Sequence, residues 1–237
     1  RDAVIRKTAA ILSRGESSAE ANRKREVQEI SDAWRSNYLE IVTRMRAISD
    51  SVARRFPKWH DIPESIDTLT KDPFQAIPFG TIQANLASLV EEQGASYRTP
   101  RGSEKVTIPA LLKFPEFSSL LLKGDASSKP QAISFLQAFM VRLLSSLPPG
   151  KVRFTIIDPI GLGQDFAQFM HLEDYDEALV TKSIWTETRE IENQLEAFTE
   201  HMRMVIQKYL RGEYPSIARY NEEAKEVAEP YRFLVVA

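Results

Sequence analysis

Apolar residues recur in steps of three or four between residues 16 and 56. Val27, Ile30, Trp34, Tyr38, Ile41, Met45, Ile48 and Val52 form one stripe, with polar and charged residues filling most places between them. This spacing predicts a single long amphipathic helix. An extra step of four from Trp34 to Tyr38 breaks a strict heptad, as a stutter does. Residues 1 to 12 continue the helical pattern, Gly15-Glu-Ser-Ser18 reads as a break or N-cap, and Pro57 and Pro63 close the run. The stripe suits a helix lying on its own domain. It equally suits one arm of a coiled coil whose partner lies upstream or in another subunit.

The pattern loosens from Asp61 to Thr107, where prolines at 63, 73 and 78 punctuate it. Ile77 to Ile82 and Lys105 to Ile108 read as short strands that pair, and Gly94 to Gly102 reads as an exposed turn. An alternation of strands and helices follows. Ser119 to Lys123 is predicted as a strand. Lys129 to Leu147 is a helix with its stripe at Ile133, Leu136, Phe139, Met140, Leu143 and Leu144. Val152 to Ile157 is a strand ending in Asp158-Pro159. Residues 188 to 211 form a long helix, Ile217 to Val227 a shorter one, and Pro230 to Ala237 a last strand. Such alternation predicts a parallel sheet covered by helices.

Composition narrows the function classes. The 237 residues are 43% hydrophobic and 27% charged, with a net charge of −2, so overall charge gives no argument for nucleic-acid binding. The absence of cysteine excludes disulfides and thiolate metal sites and fits a reducing compartment. No apolar run approaches the roughly 20 residues that a membrane-spanning helix needs. The first residues resemble neither a signal peptide nor an initiator region, and both ends read as cut from something longer.

The predicted strand at Ser119 leads into Gly124-Asp-Ala-Ser-Ser-Lys-Pro-Gln131, the place of a phosphate loop. A working loop reads Gly, four residues, Gly-Lys-Ser/Thr: its amides wrap the phosphates, the Lys neutralises them and the hydroxyl holds Mg²⁺. Counted from Gly124, the last three places hold Lys129, Pro130 and Gln131. The order from Phe154-Thr-Ile-Ile-Asp-Pro159 onward, through Glu200-His-Met202, Tyr209, Ile217-Ala-Arg-Tyr-Asn221, Pro230-Tyr231 and Phe233 to Val236, resembles the motor domain of the FtsK/SpoIIIE family of DNA-translocating ATPases. The resemblance covers roughly Leu120 to Ala237.

The resemblance implies a RecA-like α/β core, ATP with Mg²⁺ as cofactor, and a Walker B strand ending in an acidic pair. A gap-free alignment puts Ala237 at the first acidic position. With both the Gly-Lys-Ser/Thr triplet and that acid missing, the chain resembles a degenerate copy that holds nucleotide weakly or not at all. It would serve assembly or regulation of intact motor domains further along the parent protein.

Each candidate residue carries a plain alternative. Lys129 either reaches a phosphate one position early or is a solvated residue at a helix start, and Pro130 favours the second. Asp125 would repel phosphate. Asp158 is either a ligand residue at the carboxyl edge of the sheet or a turn and cap residue. Gly161-Leu-Gly163 is too short for a dinucleotide fingerprint. His171 with Glu173, Asp174 and Asp176 reads as a solvated acidic loop, not a metal site. His60 and His201 are isolated, and Trp59 and Trp185 read as packing residues. Arg153, Arg189, Arg203 and Arg211 are available to a neighbour's nucleotide.

The expected organisation is therefore a helical arm over 1–57, a linker with short strands over 58–117, and a RecA-like core over 118–237 truncated at the Walker B strand. Gly124, Lys129 and Gln131 mark the degenerate nucleotide loop and Asp158 the strand-end acid. No catalytic residue and no metal ligand is assigned. The expected partners are other copies of the chain or downstream ATPase domains, with DNA reached through the parent protein. The expected compartment is the cytoplasm, any membrane association being left to the parent. The alternative is a coiled-coil scaffold module without nucleotide function.

Overall fold

A computed structural model describes residues 2–58, 61, 76–88, 99–210, 212–224 and 227–237. Trp59, His60, Pro63, Pro73, Arg211 and most of the turn expected at 94–102 lie outside them. The protein is a mixed α/β chain with a long N-terminal helix and small sheets. It divides into two compact units, residues 1–57 with 80–110, and residues 58–79 with 111–237.

In the first unit, helix α1 runs unbroken over Asp2–Arg55. The break expected at Gly15 does not occur. One glycine in a helix interior costs only about 1 kcal/mol, which propagation on both sides absorbs. Every residue from Leu12 to Ile30 is exposed. Below that the inward face is Trp34, Tyr38, Val42, Met45, Ser49 and Val52, with Val42 only 2% exposed. The Tyr38 hydroxyl donates to the Ser103 carbonyl at 2.8 Å, Arg46 to Gly102 at 3.0 Å and Ser49 to Thr107 at 3.1 Å. These bonds join side chains of α1 to carbonyls of the turn at 102–103 and of the following strand at Thr107. Strands β1 (Ala76–Asn85) and β2 (Lys105–Lys113) form a two-stranded sheet whose residues are shared between the units.

In the second unit, helix α2 covers Lys129–Ser146 and strand β3 covers Val152–Ile157. A run of 3₁₀ turns spans Gln164–Asp174, helix α3 covers Thr188–Val205 and continues into a π turn at Ile206–Leu210, and helix α4 covers Ile217–Ala224. Strand β4, Tyr231–Val236, closes the set. β3 and β4 are parallel and paired in register from Val152↔Tyr231 to Ile157↔Val236. The other edge of β3 makes parallel bridges from Phe154 to Val180 and from Ile157 to Trp185. β3 is buried at every position except Arg153, as expected for a strand covered on both faces. Phe154, Ile156 and Phe166 are almost wholly enclosed, with Met140 and Leu143 from α2 against them. Phe233 stacks on Phe114 at 5.8 Å and lies 5.9 Å from Phe154.

The parallel pair is smaller than the sheet expected of a RecA-like core, since among the described residues each sheet has only two strands. Ser119 to Lys123 is not a strand: it pairs with nothing, and Leu121 is 77% exposed. Both edges of β3 are already taken, by β4 on one side and by residues 179–185 on the other, so this run finds no ladder beside β3.

Candidate functional site

The loop from Gly124 to Gln131 folds onto itself. Asp125 caps a 3₁₀ turn at Ala126–Ser128, its carboxylate accepting from the Ser127 hydroxyl at 2.7 Å, the Ser128 hydroxyl at 2.9 Å and the Ser128 amide at 3.0 Å. The Ser127 hydroxyl above all, and then Ser128, hold the Asp125 carboxyl below its ordinary range. A Cβ at Gly124 would fall on the Ser128 hydroxyl, so any other residue there would displace that hydroxyl from Asp125. Helix α2 then starts with Pro130 in its first turn and no side-chain cap bond from Ser128. With its amide oriented to satisfy both ends, Gln131 donates back to the carbonyls of Ser127 at 3.1 Å and Ser128 at 3.2 Å.

Lys129 faces Asp165, Nζ to Oδ2 at 3.8 Å, and Gln137 of α2 donates to the Asp165 carbonyl at 2.6 Å. Asp158, which follows β3, is completely buried. Its amide donates to the Trp185 carbonyl at 3.0 Å, while its carboxylate accepts the amides of Gly161 at 2.7 Å and Gly163 at 3.2 Å. A Cβ at Gly161 would strike the carboxylates of both Asp158 and Asp165. Leu162 and Gly163 take left-handed φ of 51° and 80°, so the turn that closes over Asp158 needs Gly163. Asp165 thus stands between Lys129 and the Asp158 turn, and the structure gathers the sequence-selected Lys129 and Asp158 around one loop junction.

This arrangement does not fit ATP with Mg²⁺. The Asp125 carboxylate takes the Ser127 and Ser128 hydroxyls and the Ser128 amide, Pro130 offers no amide, Lys129 faces Asp165, and Gln131 bonds the loop carbonyls. A shallow open depression nearby is lined by Leu162, Ala167, Met170, Lys182 and Ile184, with Lys182 the sole charge in its lining.

The remaining candidates separate. His171 pairs with Asp174 at 3.5 Å with both side chains well exposed, and no group of three metal-ligating side chains occurs among the described residues. Arg203 pairs with Glu200 on α3, and Arg189 is exposed. His201 is not isolated, as the sequence suggested: its Nε2 lies 3.1 Å from Glu229 Oε1, with both side chains under one-fifth exposed. Asn221 fixes that glutamate by a reciprocal pair, Nδ2 to the Glu229 carbonyl at 2.9 Å and the Glu229 amide to Oδ1 at 2.8 Å. Arg232 and Glu229 escaped the sequence reading. The signal for Arg232 was the repeated Arg-Phe of the two strands, Arg153-Phe154 and Arg232-Phe233, which the ladder places side by side.

No family model, no curated protein and no solved structure matches this chain. No helix among the described residues is long and apolar enough to cross a membrane.

Proposed function

We propose that this chain is a degenerate motor-type α/β domain of an FtsK/SpoIIIE-like ATPase, one that does not hydrolyse ATP and serves the assembly or regulation of active domains. The observation that carries the reading is the self-filled loop, in which Asp125 takes the hydroxyls and the amide that a phosphate would need. The parallel pair β3–β4, with Asp158 at its carboxyl end, is in keeping with a remnant of a RecA-like core. The partners on this reading are neighbouring copies or ATPase domains of the parent protein, with DNA handled by those domains. Calorimetric titration of the whole chain with Mg²⁺-ATP tests it. No micromolar binding is expected, and micromolar binding would overturn it.

A second reading, a helical interaction module without nucleotide function, is favoured by α1. Val27, Ile30, Ile41 and Ile48 are each more than half exposed and recur at spacings that keep them near one face. It predicts that the chain self-associates in light scattering and that the pair Ile41→Glu, Ile48→Glu returns it to monomer. A chain that is monomeric before substitution removes this reading.

A further inference from the structure

The amino ends of β3 and β4 carry an arrangement that neither reading uses. Arg153 and Arg232 occupy paired positions on adjacent parallel strands, so both side chains leave the same face of the sheet. Neither guanidinium has a hydrogen bond or an ion pair to a described residue, and the Arg153 Nε is buried without a partner. Like charges directly opposite each other on a ladder repel, and a buried unbonded guanidinium N–H is costly. Each invites a counter-charge. Lys151, one pleat before Arg153, spends its ammonium on the Ala228 carbonyl at 2.7 Å.

His201 of α3 lies over the same ground. Burial first, then the charge of Arg232, and to a lesser degree that of Arg153, push its pKa down; Glu229 pulls it the other way. Partial burial and then Arg153 likewise lower the pKa of Arg232. Among the described residues Glu229 is the carboxylate that acts on both His201 and Arg232, and it is engaged with His201. The local balance stays positive.

From the paired guanidiniums, the partnerless Arg153 Nε and the imidazole beside them, we infer that Arg153, Arg232 and His201 form an oxyanion site that takes a phosphate-monoester dianion. Arginine supplies the planar donor fork that such groups favour, and a dianion answers two like charges where a carboxylate answers one. The site lies at the opposite end of β3 from Asp158 and stands whether or not the loop at Gly124 binds nucleotide.

The test is a titration of the whole chain with inorganic phosphate at constant ionic strength, following the His201 ring resonances by NMR. His171, which is exposed and away from the cluster, serves as the internal control. A saturable shift of His201, with its pKa rising as phosphate fills the site, is the expected result. Arg153→Met and Arg232→Met should each weaken phosphate about tenfold or more, the loss expected for one charge-assisted contact. Arg232→Lys should recover part of it, and Lys129→Met should change nothing. Acetate should bind at least about tenfold more weakly than phosphate. No saturable shift at millimolar phosphate, equal binding of acetate, or an equal loss in Lys129→Met would overturn the assignment. Unchanged His171 and amide spectra in each variant separate a lost contact from a lost fold.

Discussion

The two ends of β3 treat charge in opposite ways. At the carboxyl end Asp158 is sealed from solvent and its carboxylate is met by the amides of Gly161 and Gly163, while Asp125 is met by Ser127 and Ser128. At the amino end Arg153 and Arg232 occupy paired positions, neither with a hydrogen bond or ion pair to a described residue, and the Arg153 Nε is buried without a partner. Buried polar groups are normally satisfied inside the protein, and where they are not, the site is an open demand on something outside. The end at which α/β folds usually place ligands is closed here by the chain's own groups. The end that sequence comparison with a motor domain would pass over is the open one.

The sharpest way to break this contrast is to remove charge at each end in turn. Asp158→Ala leaves two turn amides without acceptor next to a packed core. It should destabilise the protein by roughly 2–4 kcal/mol in urea unfolding followed by tryptophan fluorescence. A loss below about 1 kcal/mol would mean that the turn finds other acceptors and the carboxyl end is not closed by Asp158. Arg232→Met should behave the other way, changing stability by less than about 1 kcal/mol and toward a more stable protein in low salt, because it relieves a like-charge pair. A large loss there would show a hidden partner for the guanidinium.

The smallest effect is in pH. His201 binds its proton less readily in the folded than in the unfolded protein, so its contribution is fully present above about pH 6.5 and is lost as pH falls toward the folded value. Removing the Arg232 charge raises the folded value and narrows that window. Unfolding curves between about pH 7 and pH 5.5 should therefore slope less steeply in Arg232→Met than in the parent chain. Equal slopes would place the cause of the His201 shift in burial alone.

Local pattern made some of this legible. Val152 to Ile157 read as a covered strand because it is apolar almost throughout, and Lys129 to Leu147 read as a helix because its apolar residues recur at helical spacing, one residue past the observed end. Pro57 marked the end of α1 because the residue before proline leaves the helical region. Other features depend on partners that no local window contains. The run at Ser119 has the composition of a strand, but a strand needs a paired neighbour, and beside Phe154 that place is held by residues 179–185. On α1 the expected stripe used Ile41 and Ile48, whereas Val42 and Ser49 face inward, since which neighbour turns inward is settled by the bend at 100–107. The loop at Gly124 was readable as lacking phosphate chemistry. That the Asp125 carboxylate takes up both serine hydroxyls and the Ser128 amide was not, because it depends on the turn made by Ser127 and Ser128.

The bonds from Tyr38, Arg46 and Ser49 also set a phase. A helix turns by about 100° per residue, so fixing three side chains near its lower end fixes the compass bearing of every residue on it, including Val27 and Ile30 more than a full turn beyond the last contact. One residue inserted between Ile30 and Trp34 would swing that tip through about 100°, whereas seven would rotate it by only about 20° while lengthening it by about 10 Å. On α1 a change in length is therefore first a change in direction: sequence length encodes the bearing of the tip.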